Sequence, residues 1–262
     1  MKLNKIIAFF LISVVSSIFL RFYMLNYTIE THTGFFILNF DNYGKLLLLL
    51  IFIFCFATTI FAFFTFSKPE KPPKENFALS LISVISAIVI CIETYYSSSQ
   101  TTIIPWQSLS LKIAGFGTGI YLIFYGISAL TKIKPHPVFS TIFPIYFIIR
   151  LVCDFSLISK LTLISDYMLL LAAFCYLLLF TLSFSKLYNN SNPERNFKFL
   201  LATGLGSASL CFTIAIPHIV FNLLNGFNYL HTSIFSNITL LFLGIFIIVF
   251  LISYFSRKNH SN

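Results

Sequence analysis

Apolar residues come in runs of about 20, broken by short polar stretches, and this alternation continues from one end of the chain to the other. At roughly 1.5 Å per residue, a run of that length crosses the ~30 Å hydrocarbon core of a bilayer as a helix. The pattern predicts eight such spans, near 5–25, 45–66, 77–97, 110–130, 138–158, 163–185, 197–222 and 233–255. Pro69, Pro72, Pro73, Pro135, Pro137 and Pro193 fall in the breaks, where they stop helices at little cost. The link 26–44 is the longest and the least patterned. A β-barrel would need ~10-residue segments alternating apolar and polar, a pattern the chain lacks. Lys2 and Lys5 precede the first run as in a signal peptide. No small-residue cleavage site follows and the run ends in FLRFYML, so it too is expected to be a helix.

Composition agrees with this reading. Of 262 residues, 58% are hydrophobic and 10% charged, too little charge for the surface of a soluble domain of this size. The expected fold class is an all-α integral membrane protein of eight transmembrane helices. Cys55, Cys91, Cys153, Cys175 and Cys211 all fall inside apolar spans without metal-ligand spacing. They read as small buried hydrophobes, not as disulfide partners or a metal site.

The net charge of +9 invites a nucleic-acid reading, but its distribution points elsewhere. With the N-terminus cytoplasmic, the inner breaks hold twelve of the 17 basic residues and three of the eight acids. The outer side holds five of each sign, so the whole net charge lies on one face. This is the positive-inside pattern of a multi-pass protein whose N- and C-termini are both cytoplasmic. The expected partners are the bilayer and its anionic inner-leaflet lipids, with a small solute or a partner membrane protein besides; nucleic acid is not expected.

The two halves of the chain share features. FSK closes span two at 66–68 and span six at 184–186. A Pro-Glu pair follows each, then Asn76-Phe77 opens span three and Asn196-Phe197 opens span seven. Cys91 and Cys211 each lie 14 residues beyond that phenylalanine, and Arg21 and Arg150 both sit late in the opening span of their half. A single membrane domain is expected, made of two four-helix halves at 1–134 and 135–262 related as a parallel tandem repeat.

Polar residues inside the spans are the candidate chemistry. Arg150 lies about 3 Å beyond the midpoint of span five, where an arginine costs on the order of 2.5–3.5 kcal/mol to insert. Asp154 follows it at i+4 on the same helix face. Glu93, Asp166, Arg21 and His218 lie at similar depth in their own spans, all toward the outer side. Two readings fit. The six residues line an outward-open polar cavity in which Arg150 binds an anionic group, or they pair near the outer interface by snorkelling. Gly115, Gly117 and Gly119 in span four, and Gly204 and Gly206 in span seven, have the spacing of close helix packing. Pro144 and Pro217 are expected to kink spans five and seven. Trp106, Tyr95, Tyr96 and Tyr229 suit an outer aromatic belt. His32 and His231 are lone outer-loop histidines.

No HExxH, GxSxG, P-loop or Cys-x-x-Cys pattern occurs, so neither enzyme nor cofactor is expected. The segments YTIETHTGFF, YFIIRLVCDF and ISDYMLLLAAFCYLLLFTLSFSK are similar to those of a group of small polytopic membrane proteins of clostridia and related Firmicutes. That resemblance implies a bacterial plasma membrane and no particular activity. The function expected is that of a carrier or permease component for a small polar or anionic solute. The alternative is a non-transporting sensor or assembly module that binds a partner protein.

Overall fold

The computed structural model describes residues 2–30, 36–37, 41–65, 76–98, 105–131, 136–158, 165–188, 193–225 and 233–255. Eight helices account for nearly all of these: α1 (Lys2–Tyr27), α2 (Asp41–Thr65), α3 (Phe77–Ser98), α4 (Pro105–Ser128), α5 (Ile142–Ile158), α6 (Ser165–Tyr188), α7 (Pro193–Asn225) and α8 (Ile234–Phe255). Each is long and apolar enough to cross a membrane. The chain is therefore a polytopic, all-α membrane protein.

Helix starts follow local chemistry. The side chain of Asn76 accepts from the N–H of Ala78 at 3.1 Å and caps α3. Its counterpart Asn196 lies inside its helix, because α7 begins three residues earlier at Pro193. Proline at the first helical position gives up an N–H that would have no helical partner anyway. The Pro-Glu pair at 193–194 therefore starts a helix that the sequence pattern places after it. Span five differs from expectation as well. A 3₁₀ turn, Pro137–Thr141, precedes α5, and Pro144 falls in the first turn of α5, where it need not bend the helix. Pro217 lies inside α7, which remains a single helix through Asn225. In the link after α1, the N–H of Ile37 donates to the carbonyl of Thr28 at 3.0 Å, and Ile29 bridges Phe36.

Helices α3, α4, α5, α6, α7 and α8 pack in a ring that closes where α8 meets α3. Helices α1 and α2 pack on each other and both lie against α7, outside the ring. Helix α7 is thus central: 83% of its apolar window is buried, against 33% for α1 and for α2. Its ATGLGSAS segment, 202–209, explains how so many neighbours approach it. A Cβ on Gly204 would stand 3.2 Å from both Leu251 of α8 and Phe180 of α6. One on Gly206 would overlap Thr59 of α2 and Tyr176 of α6. Ser207, Ser209 and Thr213 donate to carbonyls of α7 itself, so small polar residues cost little here. The α3–α4 contact is built in the same way. Gly115, Gly119 and Gly126 face α3, and a Cβ on Gly126 would lie 3.0 Å from the Ser80 carbonyl. Ser83 donates to the Leu122 carbonyl across that contact at 2.6 Å.

Inside the ring, aromatic side chains fill the half nearest the end where α1 begins and α8 ends. Phe184 packs at ring-centroid distances of 5.4 Å from Tyr125, 6.1 Å from Phe143 and 5.1 Å from Phe250. Phe246 lies 6.1 Å from Tyr125 and 6.4 Å from Phe143. These residues come from α4, α5, α6 and α8, and together they plug the ring at the terminal end. At the far end, Trp106, Tyr95 and Tyr96 are exposed, as an aromatic belt requires. Tyr229 lies outside the described residues.

Candidate functional site

Above the aromatic plug, the six candidate residues form two separate clusters. The first is centred on Arg150 of α5. Its Nε donates to Asp154 at 2.9 Å, its Nη1 to Ser97 at 3.0 Å, and its Nη2 pairs with Glu93 of α3 at 3.1 Å. The guanidinium also lies 5.5 Å from the ring centre of Phe174 on α6, in cation–π range. The hydroxyl of Tyr146, one turn before Arg150, donates to the other oxygen of Glu93 at 3.3 Å. Every nitrogen of this guanidinium thus has an acceptor in the protein. Asp154 keeps 13% of its side-chain surface exposed, whereas Arg150, Glu93, Tyr146 and Phe174 are buried.

The second cluster joins three helices around Arg21 of α1. Its Nη2 pairs with Asp166 of α6 and stands 3.3 Å from Nε2 of His218 on α7. None of the three is more than 2% exposed. Asp166 occupies the first turn of α6, where the helix dipole favours a carboxylate. Local spacing builds the rest of the site. Ser17 is one turn before Arg21 on α1, and Asn222 is one turn after His218 on α7; both are buried.

Arg21 and Arg150 are both buried inside the bundle, and each is ion-paired between helices. The six residues do not share one cluster: Glu93, Arg150 and Asp154 belong to one, and Arg21, Asp166 and His218 to the other. Helix α6 touches both, contributing Asp166 to one and Phe174 to the other. The arginines also cross between the chain halves. Arg21, from the first half, pairs with helices of the second, and Arg150, from the second, pairs with α3 of the first. Sequence reasoning missed Tyr146, Ser97, Phe174 and Ser17. A signal for two of them was present, since Tyr146 and Ser17 each precede an intramembrane arginine by four residues.

Among the described residues, no group of three His, Cys, Asp or Glu side chains could hold a metal ion. His32 and His231 lie outside those residues. Fold and site together define a multi-pass helical membrane protein with two buried arginine–carboxylate clusters. Compared with protein-family models, curated proteins and solved structures, the chain matches none of them.

Proposed function

We propose that the protein is a carrier or permease component for a small polar or anionic solute. The observation that carries this reading is the division of the bundle interior. Buried charged and hydrogen-bonding groups stand at the far end, and an aromatic plug closes the terminal end. Ionisable residues inside a bundle are costly and mark solute or ion pathways more often than they serve packing. A polar layer above an apolar closure is the arrangement expected of a carrier open to one side. The test is uptake into proteoliposomes of the full chain, across a panel of small uncharged and anionic solutes. Uptake of at least one solute faster than in protein-free liposomes is expected, and no difference across the panel would overturn the reading.

One observation favours the alternative, a sensor or assembly module. The lipid-facing side of α1 and α2 carries an open, almost wholly apolar groove lined by Phe19, Leu20, Tyr23, Leu47, Leu50 and Phe54. A transmembrane helix of another protein would fit such a groove. A stoichiometric partner retained through purification in mild detergent would support this second reading over the first.

A further inference from the structure

The two clusters differ in how completely they are satisfied. Arg150 spends all three guanidinium nitrogens on acceptors in the protein. Arg21 spends only Nη2; its Nε and Nη1 are buried with no partner among the described residues. The unpartnered atoms around it are complementary. Asp166 Oδ2 and Asn222 Oδ1 are buried acceptors without a donor, and the Ser17 hydroxyl is likewise unmatched. Because Ser17 and Asn222 stand one turn from Arg21 and His218, these groups lie within about 6 Å of that layer along the helix axes. Inside a bilayer, a buried polar group without a partner carries its full desolvation cost. Five such atoms in one seam between α1, α6 and α7 point to a guest.

The charge of the seam restricts that guest. Arg21 and Asp166 cancel. The imidazole Nε2 of His218 stands 3.3 Å from the guanidinium, and because a guanidinium only donates, a hydrogen bond there requires Nε2 to be unprotonated, as in the neutral ring. A charged guest would leave a net charge in a low-dielectric interior, whereas a neutral one would not. The guest must offer an acceptor to the Arg21 N–H groups and donors to Asp166 Oδ2 and Asn222 Oδ1. A carbonyl bearing its own N–H groups meets both demands in one small planar unit.

We propose that Arg21, Asp166 and Asn222, with Ser17 and His218, form a buried binding site for a small uncharged carbonyl compound of the primary amide and urea class. This names the solute of the carrier proposed above and rests on that reading for transport, but not for binding. Arg150, each of whose guanidinium nitrogens already meets an acceptor, has less to offer a solute and serves instead to latch α3 to α5.

The test uses the full chain in detergent, with acetamide as the probe and acetone as a shape-matched carbonyl that lacks N–H donors. Acetamide is expected to raise the thermal midpoint saturably, and acetone is not. Asn222→Ala and Ser17→Ala, both small changes, are each expected to raise the acetamide concentration at half-saturation, about tenfold for Asn222→Ala. The double variant Arg21→Gln/Asp166→Asn, which keeps the seam neutral, is expected to lose the response. If acetamide has no saturable effect, the seam holds water alone and the proposal falls. It falls equally if acetone acts as well as acetamide, or if half-saturation is unchanged in the Asn222 and Ser17 variants. Acetamide binding without acetamide flux in proteoliposomes would keep the site and remove the carrier. Acetamide flux that survives the double variant would keep the carrier and remove the site.

Discussion

Arg21 and Asp166 stand 145 residues apart in the chain, yet they form an ion pair in which neither side chain has any exposed surface. The pair ties α1, which lies outside the helix ring, to α6 within it. A buried pair of this kind gains little over well-packed apolar residues, because desolvation offsets most of its attraction. Breaking it is another matter, since one charge is then left buried alone. Asp166→Asn is expected to destabilise the protein by about 3–5 kcal/mol. Arg21→Gln/Asp166→Asn should be more stable than the single variant. Thermal unfolding of the purified variants checks both, and a double variant no better than Asp166→Asn would refute the pairing.

The two carboxylates on Arg150 are not equivalent. Glu93 comes from another helix and is buried, whereas Asp154 shares the helix of Arg150 and keeps some exposure. Glu93→Gln is therefore expected to cost about 3 kcal/mol or more, and Asp154→Asn less. Denaturation midpoints of the two variants should differ in that order. Equal losses would mean that the interhelical pair does not hold α3 to α5.

Close approach of α3 and α4 depends on Gly126, where an added Cβ would lie 3.0 Å from a backbone carbonyl that has no room to move. Gly126→Leu is expected to lower stability by about 1–3 kcal/mol or more through overpacking. Gly117 offers a comparison, because its nearest neighbour is the terminal methyl of Ile142 at 3.3 Å, which can swing aside. Gly117→Ala should be nearly silent in the same unfolding measurement.

Phe184 touches Tyr125, Phe143, Phe180 and Phe250 at the centre of the aromatic plug. Phe184→Ala is expected to cost about 3–5 kcal/mol through the cavity it leaves. Under the carrier reading it should also raise the passive leak of small solutes from proteoliposomes. A destabilised variant with no added leak would show that the plug serves packing alone.

Orientation can be read by thiol labelling in a Cys175→Ala background, which removes the one exposed cysteine among those described. The basic breaks predict that Lys71→Cys and Asn262→Cys react with an impermeant maleimide only after cells are opened. Thr102→Cys should react in intact cells. The reverse pattern would place the termini outside.

The helices were legible in the sequence because the bilayer imposes a length and a polarity on each of them. Their boundaries were less so: Pro193 reads as a break until its position as the first residue of α7 is seen, and Pro144 reads as a kink until the 3₁₀ turn before it appears. The charged residues were conspicuous because arginine and carboxylate are rare in apolar runs. Their grouping was not, and the reason is geometric. Spacing along a span gives depth and, within one helix, relative facing, which is how Arg150 and Asp154 could be joined. It says nothing of which helix stands opposite. That Arg21 looks toward α6 and α7, and Arg150 toward α3, follows from the packing order of the bundle.

That packing order bears on biosynthesis. Helix α1 emerges before α6 and carries an arginine whose ion-pair partner lies 145 residues further along the chain. At about 5–20 residues per second, roughly 7–30 s of synthesis separate the two. Through that interval α1 holds an unneutralised cation at membrane depth, and it is released from this state only when α6 and α7 arrive. A chain cut short before α6 would leave that cation exposed to the bilayer or to a membrane protease, so the ion pair doubles as a mark that α6 has joined α1.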